Sequence, residues 1–252
     1  MPDQNRTLTL EEQVWRLWDK EEIKDLMNRF AFYTANDDRR RAITELWVSR
    51  PENYTTASLG YNNGYYTGMD NIIAHYVVDA QNLRFEALRE YTDLEQTERN
   101  LGFGSSFIHT MNTPYIEVSG DGQTAKYIGY DCGLYAVGMP DGSSDASFTF
   151  AKVYADLKKE DEDWKLWHVL IAYDHVIPAG RSYGELDPEA PWGADLVEQA
   201  CGDPTVRDVA YDALYGWVDV WERLPRPYYT FDGTKAYNAE GKPACYKIGL
   251  YR

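Results

Sequence analysis

Phe107-Ile108-His109-Thr110-Met111-Asn112-Thr113-Pro114-Tyr115-Ile116-Glu117-Val118-Ser119-Gly120-Asp121 reads as a strand running into a turn. Side chains alternate along an extended chain, so Phe107, His109, Met111, Thr113 and Tyr115 are expected on one face. Ser119-Gly120-Asp121-Gly122 then leads into a second strand. A histidine on such an apolar, aromatic face has two readings. It is a general base in a lined cavity, or it is a core histidine satisfied by one hydrogen bond. This stretch by itself leaves both open.

Downstream the pattern stays β. Thr124 to Gly138 is a strand rich in tyrosine (Tyr127, Tyr130, Tyr135), and Met139 to Ser144 is a loop. Ala146 to Lys158 is a third strand, Lys159 to Asp163 a charged turn, and Trp164 to Val176 the last strand. In that last strand Trp164, Leu166, His168, Leu170 and Asp174 are expected on one face, with Lys165, Trp167, Val169, Ile171, Tyr173 and His175 on the other.

Upstream the pattern is helical. Thr9-Leu10-Glu11-Glu12 is a capped helix start. Val14, Leu17, Trp18, Ile23, Leu26, Met27, Phe30 and Tyr33 recur at helical spacing, with a bend expected near Asp19 to Glu22. Tyr33 and Asp37 lie one turn apart on the Phe30 side, so both project into one cavity if the helix lasts that far. Asp37 and Asp38 are a helix-end pair or a partner for a catalytic histidine, and Tyr33 is core or catalytic. A short helix through Ile43, Leu46 and Trp47 follows. Residues 53 to 67 read as a hairpin around Asn62-Asn63-Gly64. A helix with Ile72, Ile73, Tyr76 and Val77 comes next, and its His75 is expected at the surface or an interface. Residues 79 to 100 are charged and helix-prone. Helices followed by a run of antiparallel strands is the α+β signature. After Pro178 the composition changes: a helix is expected over Val206 to Leu224, then a Tyr- and Gly-rich tail too apolar to hang free.

The chain has 252 residues, enough for one large domain or a domain with an extension. Its formal charge of −16 argues against nucleic acid or an anionic membrane as partner, since both select for Lys and Arg surfaces. The 21 Tyr and 8 Trp suit cavities as well as cores, because each carries apolar area with a polar tip. Cys132, Cys201 and Cys245 show no paired spacing, which favours reduced thiols in a cytoplasmic setting. Met1 to Arg6 lacks the apolar run of a signal peptide, and no stretch approaches a membrane span.

Gly102-Phe103-Gly104 does not complete a dinucleotide fingerprint, and P-loop, HExxH and nucleophile-elbow patterns are all missing. The spacing of His109, His168 and His175 gives no support to a metal site. Acid/base chemistry without a cofactor is what these residue types support. If an Asp holds one imidazole nitrogen the other can take a proton, and Tyr hydroxyls can donate to an oxygen gaining charge.

The Glu22-Ile23-Lys24-Asp25-Leu26 helix, the segment Tyr66-Thr67-Gly68-Met69-Asp70-Asn71-Ile72, His109 with Thr113 to Ala125, and Trp164-Lys165-Leu166-Trp167-His168 occur in that order. Together they resemble the SnoaL-like branch of the NTF2-like superfamily, over about residues 10 to 178. The resemblance implies a cone-shaped α+β barrel, a curved antiparallel sheet wrapped on N-terminal helices around an apolar pocket. Relatives of that kind include ketosteroid isomerase, scytalone dehydratase, polyketide cyclases, a hexachlorocyclohexane dehydrochlorinase and a diarylpropane lyase. Several pair an Asp at the end of the first helix with a strand His, positions that map onto Asp37 or Asp38 and onto His109. The chain departs from the family at Thr113, where Asn is common.

The expected organisation is therefore a flexible segment 1–9, a SnoaL/NTF2-like domain 10–178, and a C-terminal extension 179–252 packing on the domain or a neighbouring subunit. The expected function is a cofactor-independent lyase or isomerase (a dehydratase or deformylating lyase) for a hydrophobic, aromatic small molecule. In it His109 abstracts a proton, Asp37 or Asp38 orients it, and Tyr33 assists; Tyr54, Phe107, Met111, Tyr130 and His168 line the pocket. The alternative is a non-catalytic binding protein for an aromatic or polycyclic ligand. No metal or cofactor, no nucleic acid and no membrane is expected, and the resemblance implies a homo-oligomer, dimer or trimer, because cone folds expose a sheet face that usually pairs.

Overall fold

The computed structural model describes residues 8–61, 64–82, 105–138, 144–180, 206–207 and 224–238. Helix α1 (Leu10–Ala35) begins at a reciprocal cap: Thr9 Oγ1 accepts from the Glu12 amide at 3.2 Å, and Glu12 Oε2 accepts from the Thr9 amide at 2.8 Å. Through Asp19 to Glu22, where a bend was expected, α1 stays α-helical without a break. Asp19 is instead a buried tie to the sheet, accepting from the Trp164 indole at 2.9 Å and lying 2.7 Å from Lys159 Nζ.

There follow α2 (Arg39–Leu46), α3 (Pro51–Tyr54), β1 (Ser58–Tyr61), β2 (Gly64–Thr67) and α4 (Met69–Ile73), which continues as a π-helical turn over Ala74–Asp79. Then come β3 (Ser105–Ile108), β4 (Met111–Val118), β5 (Thr124–Gly138), β6 (Ser144–Glu160), β7 (Asp163–Pro178) and β8 (Val206–Arg207). The strands form one curved sheet in the order β3-β5-β6-β7-β1-β2-β8, with β4 also paired to β5. It is mixed, not wholly antiparallel: β1 leaves the helical layer beside β7 and runs parallel to it, Leu59 opposite Val169. Among the described residues no ladder joins its outer strands, so the sheet stays open. Ile23, Met27 and Phe30 of α1 and Trp47, Met69, Ile72 and Tyr76 pack with Ile116, Val118, Tyr127, Ala151, Val153, Val169 and Ile171 of the sheet.

Bulges re-phase the strands, and they overturn two expected faces. Between Asn112↔Tyr130 and Tyr115↔Ile128, Thr113 and Pro114 stand opposite one residue, and Thr113 takes φ 51. Beyond it Ile116 and Val118 point to the core while Thr113 and Tyr115 are exposed, so these two do not share the His109 face. On β7, Leu166 pairs with Leu157 but His168 with Asp156, leaving Trp167 as the extra residue. Leu166 joins the core, whereas His168 turns to the other face of the sheet with Asp156.

Three further expectations are corrected. Tyr54 lies in a helical turn and not a strand, because Pro51 starts a short helix and Glu160 holds the backbone just ahead of it, accepting from Ser49 N–H at 2.8 Å and Arg50 N–H at 3.3 Å. His75 is buried and stacks on Tyr66, ring centroids 3.8 Å apart. Val206–Arg207 pairs antiparallel with β2 where a helix was expected to begin. The helix-prone residues 83–100, the loop 139–143, the remainder of the expected helix at 208–223 and the end of the tail lie outside the described residues.

Residues 224–238 lie across the sheet face that carries His168. The amides of Gly120 and Asp121 donate to the carbonyls of Tyr228 and Tyr229 at 2.8 and 3.0 Å. Phe231 packs on Trp167, and Tyr237 on Tyr154. Beneath them Asp156, fully buried, accepts from Lys126 Nζ at 2.6 Å, His168 Nδ1 at 2.9 Å and the Tyr237 amide at 2.6 Å. Burial alone would raise its carboxyl; the Lys126 charge and the His168 hydrogen bond outweigh that and hold it below the usual range. No helix among the described residues is long and apolar enough to cross a membrane.

Candidate active site

The strand expected through His109 is interrupted there. β3 ends at Ile108 and β4 starts at Met111, so His109 and Thr110 stand outside the ladder while β5 runs past them unbroken. Side chains bridge the gap. Thr110 Oγ1 donates to the Cys132 carbonyl at 2.6 Å and accepts from the Asn112 amide group at 2.8 Å. The Thr110 amide donates to Asp131 Oδ1 at 3.0 Å. Gly133 permits the close approach: a Cβ there would sit 2.5 Å from the Ile108 carbonyl oxygen and 2.5 Å from Thr149 Oγ1.

Asp131 also holds the histidine. His109 Nδ1 lies 2.7 Å from Asp131 Oδ2, with the Asp side chain 1% and the His side chain 19% exposed. In the tautomer in which Nδ1 donates to this carboxylate, the neutral imidazole has its lone pair on Nε2. Asp131 sits opposite Met111 on the face that Tyr127, Gly129 and Gly133 share along β5. The Tyr127 ring lies over Gly129, where a Cβ would come within 2.3 Å of its hydroxyl. Burial pushes that phenol well above its usual range, and the Asp131 charge adds to the effect.

As candidate site residues, alternation and resemblance single out His109 but not Asp131, Thr110 or Tyr127. The expected orienting acids are engaged elsewhere. Asp37 Oδ1 lies 3.1 Å from Arg39 Nε, and Asp38 is exposed, 3.8 Å from Arg41. Tyr33 donates to Glu45 Oε2 at 2.7 Å, and this hydrogen bond raises its phenol. Among the pocket candidates, Met111 is half-buried against the core beside the dyad, and Phe107 packs edge-on against Tyr135 at 4.6 Å. Tyr54 donates to Asp70 at 2.8 Å, Tyr130 is 48% exposed on the outer face, and His168 belongs to the Asp156 cluster. The alternation Tyr127, Gly129, Asp131, Gly133 was the available signal: a carboxylate between two glycines on an inward face. Among the described residues no group of three or more His, Cys, Asp or Glu side chains is arranged to hold a metal ion.

No curated protein matches the sequence. Among solved structures, the chain is similar to a type 3 hexachlorocyclohexane dehydrochlorinase from Novosphingobium barchaimii (17% identity, TM-score 0.46, covering 67% of this chain and 96% of that one). It is also similar to an NTF2-like protein with a cystatin-like fold from Novosphingobium aromaticivorans (15% identity, TM-score 0.45, 71% and 95% covered). Likeness of that grade bears on neither substrate nor reaction. The model of the SnoaL-like domain matches residues 15–169, across the helices, the His109–Asp131 pair and the sheet. The chain belongs to the SnoaL-like domain family.

Proposed function

We propose that the protein is a cofactor-independent lyase or isomerase for a hydrophobic, aromatic small molecule, with His109 as its general base. The observation that carries this reading is the 2.7 Å bond between His109 Nδ1 and a buried carboxylate, Asp131. The carboxylate fixes ring and tautomer and stabilises the imidazolium formed when Nε2 takes a proton. Asp131 therefore fills the orienting role first assigned to Asp37 or Asp38, which lie beside arginines.

The chemistry balances without a coenzyme. His109 removes a proton from carbon, and the C–H electron pair either forms a C=C bond as a leaving group departs or moves into a carbonyl as an enolate. The imidazolium then returns the proton, to the leaving group or to another carbon. A part-buried dyad beside Met111 and Phe107 suits an apolar aromatic skeleton, which also gains from leaving water.

The test uses 2-tetralone, an aryl-fused ketone with an acidic C–H, and follows its hydrogen exchange in D2O by NMR. The wild-type protein should accelerate exchange, and His109→Ala should remove roughly two to four orders of magnitude of that acceleration. Exchange that survives His109→Ala with its pH profile intact would remove His109 from the chemistry. Binding of the probe without any exchange would favour a binding protein instead.

A further inference from the structure

Around the dyad, His109 Nε2 apart, the polar groups are used. Asp131 accepts from His109 and from the Thr110 amide, while Thr110 bonds Cys132 and Asn112. Tyr127 is the exception. Its side chain is fully buried, and its hydroxyl makes no hydrogen bond among the described residues. A buried, unmade hydrogen bond destabilises the fold, and phenylalanine would fill the same space without that cost. The hydroxyl is also aimed. The ring lies along β5 over Gly129, whose missing side chain gives it room, so the hydroxyl oxygen is carried along the strand to the Asp131 side of Tyr127 on the same face, where it feels the Asp131 charge. Beside a carboxylate and away from water, the phenol keeps its proton and is a donor.

We infer that Tyr127 is a further catalytic residue: its hydroxyl donates to an oxygen on the ligand, so the substrate carries a carbonyl or hydroxyl oxygen at its reacting end. This rests on the proposed proton abstraction by His109. A hydrogen-bond donor discriminates for oxygen because oxygen gains far more from it than a carbon-bound halogen does, and gains most as negative charge develops on it. The substrate class is then one that eliminates water or passes through an enolate. Entry displaces Met111, which stands opposite Asp131, is half-buried, and has the unbranched, adaptable side chain to move.

The experiment compares wild type, Tyr127→Phe and His109→Ala, using 2-naphthol as an enol mimic, naphthalene as its oxygen-free control, and 2-tetralone exchange. Tyr127→Phe should keep or raise the melting temperature, since no hydrogen bond is lost. It should bind 2-naphthol roughly ten- to a hundredfold more weakly, with naphthalene binding unchanged, and should slow exchange. If Tyr127→Phe binds 2-naphthol and exchanges 2-tetralone like wild type while His109→Ala does not exchange, the Tyr127 role is overturned and the proton abstraction stands. If neither substitution affects exchange, both fall. Failure of the wild-type protein to bind 2-naphthol, or an equal loss of naphthalene binding in Tyr127→Phe, also overturns the Tyr127 role.

Discussion

Replacing Asp156 with alanine removes the acceptor on which three donors converge: Lys126 at 2.6 Å, His168 at 2.9 Å and the Tyr237 amide at 2.6 Å. What is left behind sets the magnitude. The Lys126 side chain is only 8% exposed and keeps the Lys235 carbonyl at 2.7 Å, but it loses its counter-charge. His168 keeps the Thr56 carbonyl at 3.2 Å. Taken singly, hydrogen bonds to charged groups contribute about 1.5–3 kcal/mol each, and they do not add in full when they share one acceptor. Removing one partner of a buried ion pair costs about 3–5 kcal/mol, and we expect the Asp156→Ala loss in that range. For a chain of this size, that corresponds to a fall of roughly 6–20 °C in melting temperature. Urea unfolding followed by tryptophan fluorescence measures it, with Trp167 as a local reporter because it stacks on His168 and packs against Phe231. Trypsin should also cut sooner after Lys235 as the strap over the sheet loosens. The double variant Asp156→Leu/Lys126→Met should recover most of the loss, since an apolar pair carries no buried charge. A loss below ~1 kcal/mol for Asp156→Ala would mean that water already screens the cluster, and would refute the claim that a stranded buried charge sets the cost.

Acid should expose the same dependence. Asp156 and Glu160 are both held below the usual carboxylate range; for Glu160 burial opposes this, and its hydrogen bonds from Asn53, Ser49 and Arg50 prevail. A depressed folded-state value means that the stabilisation is fully present above the unfolded-state value of about 4 and is lost as pH falls through the folded one. The stability-against-pH curve should therefore drop below about pH 4, and Glu160→Gln should flatten that limb while lowering the plateau. Gly133→Ala should destabilise by about 1–3 kcal/mol, because its Cβ meets a backbone carbonyl that cannot step aside. It should also push His109 off Asp131, visible as a change in the imidazole nitrogen shifts; an unchanged spectrum would refute the packing account of that glycine.

Much of the fold was legible because its signals are local. Thr9 and Glu12 mark the start of α1 through their own hydrogen bonds, and long alternating runs mark β5, β6 and β7. What failed was phase. Alternation tells faces apart only while the ladder is regular, and the extra residues at Thr113–Pro114 and Trp167 depend on the partner strand. For that reason alternation alone puts Tyr115 and His168 on the wrong faces. Asp131 escapes notice for a related reason: a charged residue in a strand reads as solvent-facing until the neighbouring chain shows what it holds. Asp37 and Asp38 follow from a resemblance, while Arg39 and Arg41 beside them supply the local explanation. His75 is misread because its ring partner Tyr66 comes from the preceding hairpin, a contact that no spacing within the helix encodes.

The bulge at Thr113–Pro114 gives β4 one residue more than a flat ladder would hold. That spare residue works as a phase shifter, letting one short strand serve two clients out of step: its first positions answer to the imidazole, its last to the hydrophobic interior. Deleting Thr113 would put the strand back in step. Pro114 alone would then face Gly129, while Tyr115 would still pair with Ile128 and Ile116 with Tyr127, so a change of one codon would straighten the strand without turning either half over.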